Sequence, residues 1–264
     1  MNKNIESWAR QQFEGLNFRD KRLNKRAQLI ACNMMKKPSA SINMQSENWS
    51  ESKGAYRFFD SEKVSFQELI KPHINLVKSK ANSLEIVLAI QDTCYISYGH
   101  HPSVTDLGHI GAEETSGVIL HNTLAVNPSS KYPSVIGVLD QWIHNRKNTK
   151  DEEWKETELW KEASSRIKLD ITKTKVVEVM DREGGVFDII KHCLSLKHEF
   201  LIRTKSNRYV KNPFRHQIIE VASKVIAAGN IEIDVQKKKG QKKRKAKLEV
   251  KYLPIEIPGS PGRK

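Results

Sequence analysis

Two carboxylates are the residues of this chain best placed to do chemistry. Asp92 closes the run Ile86-Val87-Leu88-Ala89-Ile90-Gln91-Asp92-Thr93. Asp181 closes Lys175-Val176-Val177-Glu178-Val179-Met180-Asp181, ahead of Arg182-Glu183-Gly184-Gly185. Both runs are short and β-branched with polar flanks, the pattern of a buried strand. One Asp at such a strand end is by default a cap or turn residue. Two of them, on strands that can lie side by side in an α/β sheet, make a site at the carboxyl ends, where such sheets bind ligands. Hard divalent cations want oxygen ligands, so the pair predicts Mg²⁺, with Mn²⁺ as a substitute, and two-metal phosphoryl transfer.

The elements that must position this pair follow from periodicity. Val135–His144 and Thr115–Asn127 read as an antiparallel hairpin joined by a Pro-Ser turn beside the first strand. Tyr95 to Gly117 reads as a long loop whose His100 and His101 are polar surface. Asp151 to Leu169 is expected to be a charged helix packing through Trp154, Leu159, Trp160, Ala163 and Ile167. After the Asp181 strand come a helix near Val186–Leu196 and a strand at Phe200–Lys205. Three strands, helix, strand, helix, strand is the order of a ribonuclease-H-like core. In it the first and fourth strands are neighbours, which brings Asp92 and Asp181 together.

Upstream, Ile5 to Lys37 has helical spacing and carries Lys21, Arg22, Lys25 and Arg26, cations suited to a phosphate backbone or to a solvated face. Glu51–Asp60 is a second helical piece whose Tyr56, Phe58 and Phe59 are expected in the core and whose Arg57 is expected outside. A third helix spans Ser65 to Lys80, with Ser65 as N-cap and Glu68 completing a capping box. Downstream, Ile231–Val235 and Leu248–Ile257 alternate like strands around Lys237–Lys247, a nearly all-basic tip.

Composition narrows the partner. The 264 residues carry a formal net charge of +14, which favours nucleic acid as the partner class. No apolar run has the length of a membrane span, and the opening Met1–Glu6 lacks a signal-peptide core. Cys32, Cys94 and Cys193 are odd in number and far apart, which argues against disulfides or zinc and fits a reducing cytoplasm.

The chain also resembles a known family. Trp8-Ala9, Asp20-Lys21-Arg22-Leu23, Gly54-Ala55-Tyr56-Arg57-Phe58, Ile90-Gln91-Asp92-Thr93, Leu107-Gly108, His121 within LHNTLAV, Gly137-Val138-Leu139, Gln141-Trp142, Asp181-Arg182-Glu183 and Phe200–Lys205 occur in the order found in bacterial cut-and-paste DDE transposases of the insertion-sequence-four class, typified by transposon-five transposase. The resemblance implies an α+β chain. Residues 1–80 would be a helical transposon-end DNA-binding domain, 81–206 a ribonuclease-H-like catalytic core, and 207–264 a basic β-rich insertion. It implies that Asp92 and Asp181 are two of three metal-binding acids. It assigns Arg22, Lys25, Arg26 and Arg57 to transposon-end contacts, and Arg203 and Lys205 to a strand approaching DNA. Lys242, Lys243, Arg244 and Lys245 fall in the insertion. The family's third acid, a Glu in a Tyr-Arg-Glu-Lys helix after the insertion, has no counterpart in these residues. The expectation is therefore a truncated transposase with an incomplete core. The alternatives are a non-catalytic regulator of a full-length copy and a decayed remnant.

Overall fold

Every second residue of Ile86–Ser97 up to Gln91 is buried, and this segment, β1, is the spine of a mixed sheet. The computed structural model describes residues 3–101, 103–111, 115–129, 132–146, 155–204, 207–211, 216–237 and 242–256. The chain divides into two compact units, Met1–Ile202 and Arg203–Lys264.

The first unit opens with helices α1 (Lys3–Gln12), α2 (Lys21–Lys36), α3 (Ile42–Gln45), α4 (Trp49–Phe59) and α5 (Phe66–Ala81). The expected single helical stretch from Ile5 to Lys37 is thus two helices. Gly15 adopts φ +81° between them, and Asp20 caps α2 by accepting from the Arg22 amide. Residues 42–45 form a short helix. Asn48 caps α4, and Ser65 caps α5 by accepting from the Glu68 amide, while the Glu68 carboxylate of the expected capping box pairs with Lys71 at 3.1 Å instead. Leu16, Phe18, Ala27, Ile30, Ala55 and Phe58 form the core of this helical part.

The sheet follows, built from β1, β2 (Gly108–Ile110), β3 (Thr115–Asn127), β4 (Ser134–His144), β5 (Lys175–Met180) and β6 (Glu199–Ile202). Its order is β2-β3-β1-β5-β6, with β4 also paired to β3. β1 runs antiparallel to β3 and parallel to β5, and β5 runs parallel to β6. Helices α6 (Thr157–Arg166) and α7 (Phe187–Ser195) make the two crossovers into β5 and β6. Trp154 and the first residues of the expected 151–169 helix lie outside the described residues.

One face of the sheet is fully packed. Val87, Ala89, Ala125, Leu139 and Val176 meet Val77 and Ala81 of α5 and Ile167. Trp160, Met180, Ile189 and Cys193 continue this layer through α6 and α7. β4 shifts register twice against β3, which frees the Val138 amide from the ladder. His73 of α5 takes it up: Val138 N donates to Nε2 at 3.0 Å, while Nδ1 donates to Gln12 Oε1 at 2.5 Å. The same imidazole thus joins α1, α5 and β4. Gly137 is required beside it, since a Cβ there would stand 2.5 Å from Val77 Cγ2.

In the second unit, β7 (Tyr209–Val210) pairs with β8 (His216–Gln217), α8 spans Ile218–Ser223, and β9 (Gly229–Val235) pairs antiparallel with β10 (Arg244–Val250). The expected hairpin is present, but Arg244 and Lys245 belong to its second strand rather than to the tip.

Candidate functional site

The placement of the two aspartates follows from strand register. β1 and β5 pair from Ile86 opposite Lys175 to Ile90 opposite Val179. Asp92 lies two positions further along β1, and Asp181 two positions beyond Val179, just past the end of β5 at Met180. Strand alternation puts Val87, Ala89 and Gln91 toward the helices, as it does Val176, Glu178 and Met180. Asp92 and Asp181 belong to the other row and are both exposed. Asp181 Oδ1 accepts from the Glu183 amide at 2.7 Å, opening the turn that follows. Gly184 in that turn is buried so tightly that a Cβ would lie 2.6 Å from Met180 Cβ.

One expectation is corrected here. β1 does not end at Asp92; it runs on to Ser97, and residues 108–110 of the expected loop form β2. The reason lies in the partners. Pairing to β5 stops after Ile90, whereas pairing to β3 continues to Ser97 opposite Gly117. Asp92 therefore sits where β1 loses its parallel neighbour, which resembles a strand end in sequence.

The aspartates have polar neighbours that the sequence reading did not single out as site residues. Asn122 of β3 lies opposite Asp92, and Gln141 of β4 lies opposite Asn122. Gln141 Nε2 donates to Asn122 Oδ1 at 2.6 Å. Gln141, Asn122 and Asp92 thus make a polar row across β4, β3 and β1, and Asp181 is the first residue after β5. The available signal was a polar residue interrupting each apolar run.

Behind this row, on the helix-covered face, runs a buried polar seam. Glu178 is fully buried. Its Oε2 accepts from Gln91 Nε2 and from Ser164 Oγ of α6, each at 2.5 Å, and its Oε1 accepts from His198 Nδ1 at 2.7 Å. Gln91 Oε1 accepts from His121 Nε2 at 3.0 Å, and His121 Nδ1 accepts from the Thr93 hydroxyl at 2.8 Å. His121 is fully buried, edge-on to Trp160 at 4.9 Å. Burial, with the nearby Arg166 charge, pushes its pKa down to about 4, so the ring is neutral with its proton on Nε2. Burial and the Glu178 carboxylate push the Cys193 thiol up to about 12, which makes it inert packing.

The expected cationic contacts fall in both units. Lys21, Arg22 and Lys25 are exposed on α2. Arg22 returns to Asp20 Oδ2 at 3.2 Å with its own side chain 92% exposed. Arg26 is half-buried, its guanidinium laid across Gly54 of α4, where a Cβ would stand 2.6 Å from Cζ. Arg57 is exposed on α4 as expected. The aromatic cluster around it is corrected: only Phe58 is buried, while Tyr56 and Phe59 are 44% and 46% exposed. Helical geometry turns Ala55 and Phe58 inward together and leaves their neighbours outside. In the second unit Arg203, Lys242, Lys243, Arg244 and Lys245 are all exposed, and Lys245 pairs with Glu232 at 2.7 Å. Lys205 and residues 238–241 of the basic run lie outside the described residues.

Among the described residues no three His, Cys, Asp or Glu gather into a metal-holding group, and no helix is long and apolar enough to cross a membrane. A cavity of about 910 Å³ lies elsewhere, between the α1–α2 connection and α5, lined by Glu14, Arg19, Lys63, Glu68, Lys71 and Asn75.

Comparison with known proteins gives likenesses of two kinds, to a solved structure and to a family model. A piggyBac transposase, solved by cryo-EM as a synaptic complex with hairpin DNA, is similar at a TM-score of 0.40 and 12% identity, over 88% of this chain and 54% of that one. The present chain thus spans about half the length of that polypeptide. Residues 5–64, covering α1 to α4, match the family model described as transposase DNA-binding.

Proposed function

We propose that this chain is a DNA transposase, or a portion of one, of the bacterial DDE class that includes the insertion-sequence-four elements. Its helical segment binds double-stranded DNA at transposon ends. Its sheet, read as a ribonuclease-H-like core, carries Asp92 and Asp181 as acids of a strand-cleaving centre. The observation that carries the reading is the coincidence of two features in one unit. Residues 5–64 match a transposase DNA-binding model, and the parallel β1–β5 pair runs directly into the two aspartates.

The donor set suits Mg²⁺. That ion is commonly held by one or two carboxylates together with water and substrate phosphate oxygens, and it tolerates an open site of exposed carboxylates. Asp92 and Asp181 would hold it, and bound there it would supply charge stabilisation for phosphoryl transfer. The chain's own part is to present both carboxylates on one face, with the Asn122 and Gln141 amides alongside. Lys21, Arg22, Lys25, Arg26 and Arg57 would fix the duplex through its phosphates, a term that makes binding salt-dependent.

The test uses DNA carrying the element's own ends, incubated with the protein and Mg²⁺ or Mn²⁺. Salt-sensitive binding with nicking that disappears in Asp92→Ala is the expected result. Binding without nicking would restrict the chain to a DNA-binding or regulatory role. Loss of preference for end-bearing over unrelated DNA would remove the transposase reading.

A further inference from the structure

We infer that the buried seam Thr93–His121–Gln91–Glu178–His198, with Ser164, is a positioning device for the aspartate pair. The inference rests on the metal-binding reading of Asp92 and Asp181 given above, and it assigns the seam's residues to a role beyond packing.

The geometry is specific. Thr93 and Gln91 flank Asp92 in β1, and Glu178 lies three residues before Asp181 in β5. The Gln91–Glu178 hydrogen bond therefore ties the two strands together just before they deliver their carboxylates. His121 ties β1 to β3 from the other side, and Ser164 and His198 anchor Glu178 to α6 and to the segment entering β6. Every polar atom of Gln91, His121 and the Glu178 carboxylate has a partner.

An apolar core would hold these strands at least as well, because burying a carboxylate carries a large desolvation cost before partners repay it. What apolar packing lacks is discrimination between registers. Sliding β1 by one residue against β5 would separate Gln91 from Glu178, strand an unpaired buried carboxylate and turn Asp92 toward the helices. The seam penalises that slip and leaves a single register in which Asp92 stands beside Asp181. Groups that orient ligating side chains in this indirect way commonly change metal affinity by about 10- to 100-fold when removed.

The decisive experiment exchanges the amide and the carboxylate. Gln91→Glu sets two carboxylates face to face in the seam. Adding Glu178→Gln restores the complement, since a Glu at 91 accepts from His121 and from the new amide, and that amide's oxygen accepts from His198. Mn²⁺ binding, followed by electron paramagnetic resonance on the full chain with Asp92→Ala as the zero reference, is expected to weaken about tenfold or more in Gln91→Glu. In the double variant it should return to within about threefold of wild type. In parallel, amide hydrogen exchange over residues 87–92 and 176–181 should speed up in the single variant and recover in the double. A folded Gln91→Glu with wild-type Mn²⁺ affinity and exchange overturns the proposal, as does a folded double variant that recovers neither. If Gln91→Glu does not fold, recovery of both readouts in the double variant still supports the seam. If wild type takes up no Mn²⁺, the metal reading fails, and the exchange pattern alone decides the seam.

Discussion

His121 shows how much one side chain here depends on its surroundings. Exposed, it would titrate near 6.5; burial beside Trp160 pushes it down to about 4. The folded state then binds fewer protons than the unfolded state between these values, so stability rises with pH across that window. The contribution is fully present above 6.5 and is lost progressively as the pH falls toward 4. A shift of this size corresponds to roughly 3 kcal/mol. The expected outcome is a smaller loss of stability between pH 6.5 and 4 in His121→Gln than in wild type, read from urea unfolding midpoints at each pH. Parallel curves for the two proteins would mean that His121 is not the titrating group. Gln91 and Glu178 are equally contextual: a polar residue in an apolar run looks like a strand end or an error until its partner, 87 residues away, is known.

At the scale of elements, the informative feature is how the helical segment is fastened to the sheet. β4 bulges, a backbone amide comes free, and an α5 histidine that also holds α1 accepts it. An unsatisfied buried amide costs about 1–3 kcal/mol, and the Val138 amide is partly buried, so His73→Leu is expected to destabilise the first unit by about 1 kcal/mol. His73→Gln should lose less, because its amide can still offer an acceptor to Val138. Thermal unfolding of both variants checks the order, and equal losses would assign the effect to packing instead. Local signals identified the elements themselves. Ser65 and Glu68 announced the start of α5, and β-branched runs announced β1, β3, β4 and β5. They failed where pairing overrode composition, as in the extension of β1 to Ser97 by β3. They failed also where a helix was short, as at α3, or where one Gly at positive φ split a continuous helical pattern.

For the whole molecule, the charge of +14 is the property that any polyanion meets first. Much of it lies in the second unit, where Lys242 and Lys243 are exposed just before β10 and Arg244 and Lys245 are exposed at its start. Such a cluster contacts phosphates without reading sequence. Replacing Lys242, Lys243, Arg244 and Lys245 with Gln should weaken binding to end-bearing and unrelated DNA alike. It should flatten the plot of log affinity against log salt by up to about 3–4 units. A loss confined to end-bearing DNA, measured by fluorescence anisotropy over a salt series, would assign these residues to recognition instead. Seen at this scale, the sequence by itself determined the types of the longer elements, the strand order that makes β1 and β5 neighbours, the net positive charge and the choice of Asp92 and Asp181 as candidate acids. These depend on side-chain periodicity, local capping and net charge, which act over a few residues or add up regardless of arrangement. Only the tertiary structure decided which face Asp92 and Asp181 share, that Asn122 and Gln141 lie in line with them, that Tyr56 and Phe59 stay outside, and that Glu178 is held by Gln91, Ser164 and His198. Those facts depend on register and on packing between segments far apart in the chain, where shifting a strand by one residue exchanges its faces.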